Sequence, residues 1–346
     1  MSISYQRWVG RKQTSNFREA AALETDTIDV SKLKGDEVVL KIHYAGVNAS
    51  DVNFVAGRYD PTAKPPFYPG FEAVGVVTHV GPEAKRFRVG AAAAASGYGF
   101  FSEYAVISEK RLIPVPSPDP EVIPLLVGGL TASLALQYTG EMKSGQKVLV
   151  TAAAGGTGHF AVQFAKLAGN HVIGTCSSDD KVEFLKKMGC DRVINYKKEN
   201  LAQVLKKEYP KGVDIVYESV GGETYETCVN ALATHGKLII IGFVSGYKDQ
   251  SGWVEGKGKP GAPLVAKLLA KSASVRGFFL NHFDRHFKEH MGRMVQLVKE
   301  KKLISQVDNT ATFRGLESVP EAIDHMYQGK NVGKVVVAIS SPQAKL

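Results

Sequence analysis

The chain of 346 residues has few cysteines and no long uninterrupted apolar run. Its three cysteines, Cys176, Cys190 and Cys228, are far apart, which argues against a disulfide framework and favours a reducing compartment. The N-terminus lacks the apolar h-region of a secretory signal, so we expect no such signal. The most apolar segment, 122–138, is interrupted by proline, glycine and hydroxyl residues, so we also expect no membrane-spanning helix.

Acidic residues are outnumbered, with 34 Asp and Glu against 43 Lys and Arg and a formal net charge of +9. The basic residues are scattered, and the densest clusters (186–187, 206–207 and 299–302) lie in helical patterns mixed with Glu. Such clusters indicate solvated helix faces, and we expect no nucleic-acid partner. The length allows two domains with separate cores.

A glycine-rich turn between a predicted strand and a predicted helix is the most informative local pattern. The apolar strand 148–150 leads into Gly155, Gly156 and Gly158, and an amphipathic helix follows. Glycines allow a pyrophosphate to approach the backbone, and the helix directs free N–H groups at the anion. A second strand, 171–176, completes a βαβ unit, so the pattern predicts dinucleotide binding. A tight turn without a ligand is the alternative.

The remaining pattern predicts an α/β protein with two domains. Before about residue 120 the chain is β-rich, with strands near 37–45, 73–80 and 103–107. Strands then alternate with helices, which is typical of a Rossmann doubly wound parallel sheet. We expect this Rossmann domain at 124–301 and a β-rich domain at 1–123 and 302–346. The predicted Rossmann strands are 148–151, 171–175, 192–194, 214–217, 237–241 and 275–279, followed by a helix at 284–301, a β-like stretch at 307–313, a helix at 318–328 and a strand at 334–339.

One long connection, 245–263, contains five glycines and two prolines without apolar periodicity. It follows a predicted central strand, at the sheet edge where open α/β sheets bind ligands. Long connections of this kind are functional lids or disordered segments, and the position favours a lid.

Three further motifs are GVNASDVNF (46–54), PGFEAVGVV (69–77) and the AAAGGTG turn followed by INYK. They resemble motifs of the medium-chain dehydrogenase/reductase superfamily, in its quinone oxidoreductase branch. The segments GRYDPTAKPPF, VIGTCSSDDK, YESVGG, GFVSGY, KSASVRGFFLNH and GKNVGKVVV are similar to the prostaglandin reductase 3 group of that branch. The resemblance implies that the β-rich domain is a GroES-like catalytic domain and that the Rossmann domain binds NADP.

The residues that zinc members of the superfamily use as ligands are replaced here. Those members have a Cys in the turn that matches 46–51 and a His before the Glu of the next motif, where this chain has Asn48 and Phe71. An amide and a phenyl ring cannot supply a thiolate and an imidazole. The four-cysteine structural lobe is also absent, since the first cysteine is Cys176. We therefore expect no metal and a hydride addition to an activated C=C bond, which needs no metal-bound alkoxide.

NADPH is the expected cofactor. An NAD-binding unit has an acidic residue at the end of its second strand, whereas this chain has Ser177, with Lys181 one helical turn later. The acidic pair 179–180 lies at a helix start, where acidic residues act as caps. The resemblance assigns the 2′-phosphate pocket to Ser177, Lys181 and Tyr196. A capping serine and a surface lysine without a ligand are the alternative.

The other expected cofactor contacts lie at the glycine turn and at predicted strand ends. Thr157 is expected to donate to the pyrophosphate from its hydroxyl and its backbone N–H. Core packing is the alternative for the apolar residues of the set. The expected contacts with adenosine and ribose are Ser219, Ile241 and Tyr247, those with the nicotinamide amide are Phe278, Phe279 and Leu280, and that with the phosphates is Asn331.

Two residues are candidates for the chemistry. Tyr59 is expected to hydrogen-bond the enolate oxygen or pass a proton to it, and Asn48 to orient the substrate carbonyl or the cofactor ribose. A loop anchor is the alternative role of Tyr59. The resemblance implies 15-keto-prostaglandin substrates reduced at the C13=C14 bond, and related lipid enones are equally sensible. Quinone reduction, or a non-catalytic NADPH-binding crystallin-like role, are the alternative functions.

The C-terminal tripeptide Ala344-Lys345-Leu346 is of the small–basic–Leu type that the peroxisomal import receptor binds. It predicts a peroxisomal location, with the cytoplasm as the alternative if the tripeptide is not recognised. Similar proteins are often homodimers that pair their Rossmann sheets edge to edge near 237–280, and the sequence leaves the oligomeric state open.

Overall fold

The computed structural model describes residues 2–59, 62, 64–248 and 264–340. The chain divides into two compact units. Unit 1 comprises 1–127 and 307–346, and unit 2 comprises 128–306.

Strands dominate unit 1 and alternate with helices in unit 2. The strands are β1 (Ser2–Gly10), β2 (Ala21–Asp29), β3 (Glu37–Gly46), β4 (Glu72–Val80), β5 (Ala92–Ser96), β6 (Tyr104–Ser108), β7 (Leu112–Pro114), β8 (Lys147–Val150), β9 (His171–Cys176), β10 (Arg192–Asn195), β11 (Val213–Glu218), β12 (Leu232–Ile240), β13 (Ser274–Gly277), β14 (Phe313–Arg314) and β15 (Val336–Ala338).

The helices are mostly short, and several are preceded or followed by 3₁₀ turns. They are α1 (Phe17–Ala20), α2 (Ser50–Val55), α3 (Val127–Leu134), α4 (Gly158–Leu167), α5 (Asp179–Lys187), α6 (Leu201–Glu208), α7 (Gly222–Asn230), α8 (Leu264–Lys271), α9 (Phe287–Lys299) and α10 (Val319–Tyr327).

Unit 1 is built around β3, which pairs with β4, β6 and β15. Its sheet has the order β14-β15-β3-β4-β5-β7, and β1 and β2 form a separate antiparallel pair. Val38, Val39, Leu40 and Ile42 of β3 are fully buried, so this strand is covered on both faces. The turn after β3 is consequently held on a rigid element.

Unit 2 is a six-stranded parallel sheet of order β10-β9-β8-β11-β12-β13. In strand numbers counted from β8 this is 3-2-1-4-5-6, the order of a dinucleotide-binding Rossmann fold. Its first strand, β8, has Val148, Leu149 and Val150 fully buried, as expected for a parallel strand covered by helices on both faces. The predicted fold class is confirmed.

Some predicted boundaries are wrong. β13 ends at Gly277, ahead of the expected 279: the Phe278 N–H still bonds the Ile240 carbonyl, and a 3₁₀ turn, Leu280–His286, begins two residues later. That turn also occupies the start of the helix expected at 284–301. β12 begins at Leu232, ahead of the expected 237. The stretch 307–313 forms only an isolated bridge at Val307 and the start of β14.

The apolar segment Pro120–Thr139 is long and apolar enough to cross a membrane by length and composition alone. Within the described part of the chain it is the one segment that meets this criterion, and 78% of its apolar window is buried. Buried core helices of folded proteins meet the same criterion, so this gives only weak support to a membrane span.

Candidate active site

The carboxyl edge of the unit 2 sheet gathers most of the predicted cofactor residues. In a parallel sheet all strands end at this edge, next to the switch point where ligands bind. Several of the predicted residues directly follow the last residue of a strand: Ser177 after β9, Tyr196 after β10, Ser219 after β11, and Phe278 after β13, with Ile241 after β12.

The glycine turn lies between β8 and α4, at the centre of the sheet. A Cβ at Gly158 would lie 2.4 Å from the Ala152 carbonyl oxygen, so glycine is required there by the turn itself. Gly155 and Gly156 complete the turn, and the Gly155 N–H bonds the Ala152 carbonyl at 3.0 Å. Helix α4 begins immediately at Gly158 and directs its first N–H groups at this edge.

The Thr157 hydroxyl, expected to donate to the pyrophosphate, is hydrogen-bonded within the protein. Thr157 Oγ1 bonds the Gly128 carbonyl at 3.0 Å and the Tyr217 hydroxyl at 2.6 Å, so its one proton is already used within the protein. Tyr217 comes from β11 and is fully buried. The hydroxyl therefore fixes the turn to the sheet, and only the backbone N–H of Thr157 stays a candidate for an anion.

The predicted 2′-phosphate residues lie around the end of β9. Ser177 is partly exposed, Tyr196 is 54% exposed and bonded through its N–H to the Cys176 carbonyl, and Lys181 in the first turn of α5 is only 8% exposed. The nearby Asp179 carboxylate is paired with Lys198 at 2.5 Å. Lys198 lowers the pKa of Asp179, so this carboxylate is ionised and neutralised at neutral pH.

Ser219 carries a buried hydroxyl that suits a ligand. Its Oγ is buried and has no hydrogen-bond partner among the described residues, while its N–H donates to Thr151 Oγ1 at 2.9 Å. Buried hydroxyls are normally paired, so this atom fits a ligand hydroxyl or phosphate oxygen. The preceding Glu218 accepts N–H bonds from Val220 and Gly221.

Tyr247 does not end a strand as expected. It directly follows a 3₁₀ turn, Val244–Gly246, and its hydroxyl accepts the Phe243 N–H at 3.2 Å. Ile241 lies at the predicted place and is tied by its N–H to the Glu218 carbonyl. The rest of the predicted lid, from 249 to 263, lies outside the described residues.

Phe278, Phe279 and Leu280 follow β13 and are not its last residues, although the Phe278 N–H still bonds the Ile240 carbonyl of β12. The Phe278 ring stacks on Phe283 at 4.9 Å, and Phe279 is 39% exposed. Leu280 begins the following 3₁₀ turn.

Asn331, the predicted phosphate contact, belongs to unit 1. Its side-chain amide donates to the Gly333 carbonyl at 2.9 Å and is buried, which places it in a turn and not at an open surface.

Asn48, the first candidate for the chemistry, is held in unit 1 by an ion pair. Its Nδ2 donates to Glu72 Oε1 at 3.0 Å, and its Oδ1 accepts from Lys334 Nζ at 2.5 Å. Lys334 and Glu72 are themselves paired at 2.5 Å, and both are almost fully buried. A Cβ at Gly46 would lie 2.3 Å from Glu72 Oε1, so glycine there leaves room for the carboxylate.

Asp51 is a second buried carboxyl beside Asn48. Its Oδ2 accepts the Asn48 N–H at 2.7 Å, and its Oδ1 has no partner among the described residues. Burial raises the pKa of Asp51 to about 8, against the opposing effect of the Asn48 hydrogen bond and the Lys334 charge. Burial thus favours the uncharged form of Asp51, next to the ion pair of Glu72 and Lys334.

Tyr59 lies in a partly exposed aromatic cluster of unit 1. Phe54 contacts Phe67 and Phe71 with centroids 5.6 Å apart and stacks on Tyr98 at 4.9 Å, and Tyr59 meets Phe71 edge-on at 6.5 Å. The Tyr59 hydroxyl and Asn53 Nδ2 are 3.5 Å apart, the outer limit of a hydrogen bond. The cluster is continuous in sequence with Glu72, since Phe71 precedes it.

Sequence reasoning missed Glu72, Lys334 and Tyr217. Glu72 lies in the PGFEAVG motif and Lys334 in GKVVV, but nothing local shows that they pair. One signal was available in the sequence: Lys334 lies between a glycine and three valines, a pattern that predicts a buried lysine. A buried lysine normally has an acidic partner. Across residues 2–59, 62, 64–248 and 264–340, no group of three or more His, Cys, Asp or Glu side chains is arranged to hold a metal ion.

Comparison with known proteins gives the family. The profile described as "Alcohol dehydrogenase GroES-like domain" matches residues 34–117, and that described as "Zinc-binding dehydrogenase" matches 156–300. A "Prostaglandin reductase-3" of Mus musculus is 49% identical over 97% of this chain and 90% of its own length. The chain belongs to the medium-chain dehydrogenase/reductase superfamily, in its prostaglandin reductase-3 group.

Two further relatives within this superfamily bear on cofactor and substrate. A "Probable quinone oxidoreductase" of Leishmania amazonensis is 47% identical over 87% of this chain and 88% of its own length. The structure of mycobacterial Rv1454c complexed with NADPH superposes with a TM-score of 0.78 at 26% identity, covering 97% of this chain and all of that one.

Proposed function

We propose that this protein is an NADPH-dependent reductase of the C=C bond of α,β-unsaturated ketones and that it works without zinc. The observation that supports this most is the region at the end of β9, which has a serine and a nearly buried lysine, Ser177 and Lys181, where an NAD enzyme has a carboxylate. The relatives agree with the reductase class.

The residues of unit 2 fit a bound nicotinamide dinucleotide. The glycine turn and the start of α4 would hold the pyrophosphate, the unpaired Ser219 Oγ would meet a ligand oxygen, and Lys181 with Tyr196 would meet the 2′-phosphate. When bound, NADPH supplies the hydride that is added to the β-carbon of the enone. The Asp179 carboxylate repels the 2′-phosphate only weakly, because Lys198 neutralises its charge.

The groups of unit 1 stabilise the charge that forms on the substrate. Addition of hydride to the β-carbon moves an electron pair towards the carbonyl oxygen and produces an enolate, which then takes a proton at the α-carbon. Asn48 can donate its remaining Nδ2 hydrogen to the oxygen, and Tyr59 can donate its hydroxyl proton to the same atom or serve as the proton source. These are hydrogen-bond donors, and the ligand types of a catalytic zinc site are replaced by Asn48 and Phe71.

The aromatic cluster around Phe54 favours an apolar substrate. Aromatic faces with partial exposure bind flat or aliphatic chains through burial of apolar area. We propose lipid enones of the 15-keto-prostaglandin type, and the name of the mouse relative agrees with this class.

The test is oxidation of NADPH at 340 nm in the presence of 15-keto-prostaglandins, simple medium-chain enones and ortho-quinones, with identification of the product by mass spectrometry. We expect enone-dependent turnover and a product that has gained two hydrogens across the C=C bond. Turnover confined to quinones would favour the second candidate, which the Leishmania relative supports. Tight NADPH binding without any turnover would favour a non-catalytic role.

We also propose a homodimer and a peroxisomal location. Strand β13 is at the sheet edge, and the adjacent α8 exposes Val265 and Leu269 at 75% and 80%, an apolar surface that a second sheet can cover. Sedimentation equilibrium tests the dimer, and Leu269→Glu is expected to favour the monomer.

The proposed peroxisomal location depends on residues 344–346, which lie outside the described residues. Binding of a peptide ending in Ala-Lys-Leu to the import receptor, with a Leu-deleted peptide as control, tests the location.

A further inference from the structure

We propose that Lys334 and Glu72 are positioning residues that fix the orientation of the Asn48 carboxamide, so that its one uncommitted N–H is presented to a ligand oxygen. This inference rests on the proposed function and goes beyond it, because it assigns a role to a buried ion pair that does not itself need to touch substrate.

The chemistry of the two partners determines the amide orientation. An ammonium only donates hydrogen bonds and a carboxylate only accepts them. Asn48 Oδ1 must therefore face Lys334 Nζ, and Nδ2 must face Glu72 Oε1, which are the contacts at 2.5 Å and 3.0 Å. The flipped amide would place like partial charges against each other at both contacts.

The rest of Asn48 is fixed as well. Its backbone N–H donates to Asp51 Oδ2 at 2.7 Å, and Asp51 lies in the first turn of α2. Glu72 is held by the Val127 N–H on its Oε2 at 2.8 Å. Asn48 is thus attached at three atoms, and Glu72 takes one of the two Nδ2 hydrogens. The second hydrogen has a fixed direction on a half-buried residue.

A fixed donor is useful for the reaction because a preorganised hydrogen bond needs no rearrangement when charge develops. Lys334 and Glu72 also offset each other's charge at 2.5 Å, and burial raises the pKa of Asp51, which favours its uncharged form. A neutral cluster with one outward donor stabilises an oxyanion without attracting a cation.

The test is a double-mutant cycle with Asn48→Ala, Lys334→Met and the combined variant. Removal of one such donor costs about 100-fold in turnover, so we expect Asn48→Ala to lower kcat/KM for the enone by about that factor. Lys334→Met is expected to lower it at least about tenfold alone, and by less than about twofold in the Asn48→Ala background, because the lysine acts through the amide. Lys330→Met, an exposed lysine in the same segment, is the matched control and is expected to leave kcat/KM unchanged.

Two further variants separate orientation from folding. Asn48→Asp can still accept from Lys334 but has no second donor hydrogen: ionised it donates nothing, and protonated it directs its one proton to Glu72, so it is expected to be as impaired as Asn48→Ala. Glu72→Gln/Lys334→Met removes both charges and leaves no unpaired buried charge, so it keeps the cycle measurable if Lys334→Met does not fold. NADPH affinity, measured by nicotinamide fluorescence, is a readout independent of turnover, and any change on Lys334→Met must also vanish in the Asn48→Ala background.

The result that overturns the inference is independent, multiplicative losses from the two single variants, or an Asn48→Asp variant with wild-type kcat/KM. Failure of the proposed function is a different result, since the wild-type protein would then not oxidise NADPH with any enone.

Discussion

The sharpest prediction on cofactor choice is that Lys181→Ala removes the preference for NADPH. Lys181 lies in the first turn of α5 and is only 8% exposed, so its charge is little screened by solvent. Loss of one hydrogen bond to a charged group costs about 1.5–3 kcal/mol, which corresponds to a Kd for NADPH that is about 10 to 150 times weaker. NADH lacks the 2′-phosphate, so its Kd is expected to stay within about twofold, given that it loses no such bond.

The matched control is Lys187→Ala, at the other end of the same helix. Lys187 is exposed and lies in the last turn, so its removal has no route to a nucleotide at the start of the helix. A cation in the first turn lies at the positive end of the helix dipole and is unfavourable there. Its removal therefore does not weaken the helix, and Lys181→Ala is expected to fold. Both Kd values are measured by fluorescence titration of each variant with NADPH and with NADH. Equal weakening for both nucleotides, or none for NADPH, would refute the placement of the 2′-phosphate.

Three further predictions concern stability and the turn. Asp51→Asn removes a carboxyl whose pKa is raised to about 8 from the ordinary 3.8, so wild-type stability is expected to fall as pH rises from about 4 to 8, while the variant loses that slope in urea unfolding. Tyr217→Phe deletes the bond to Thr157 and is expected to cost about 1 kcal/mol of unfolding free energy and several-fold in NADPH Kd, whereas an unchanged Kd would show that the turn does not depend on it. Gly158→Ala places a Cβ 2.4 Å from the Ala152 carbonyl oxygen and is expected to destabilise the fold by about 1–3 kcal/mol in thermal or urea unfolding.

The Rossmann half could be predicted because its signals are local. The apolar run of β8, the glycines that follow and the amphipathic α4 are contiguous, and the alternation of strands with helices predicts a parallel sheet. The same local signals correctly placed Ser177 and Ser219 at strand ends. Tyr247 was wrongly placed at a strand end because a 3₁₀ turn, Val244–Gly246, separates it from β12, and the sequence pattern did not show that turn.

Contacts between distant segments could not be predicted. Asn48 and Lys334 are 286 positions apart, and Thr157 and Tyr217 are 60 apart, so neither hydrogen bond has a periodic or local pattern. The Thr157 hydroxyl was assigned to a ligand because its position at a helix start suggests that role, whereas a tyrosine on a neighbouring strand competes for it. Such competition depends on tertiary packing.

The central claim is metal-free reduction of an enone by NADPH. The most direct measurement is kcat/KM for an α,β-unsaturated ketone with NADPH and with NADH, each before and after exhaustive treatment with a metal chelator. We predict that NADPH is preferred by about 10-fold or more, in line with the loss of one charged hydrogen bond, and that chelation changes nothing. Equal rates with NADH, or activity that disappears with the chelator and returns with Zn²⁺, would contradict the account.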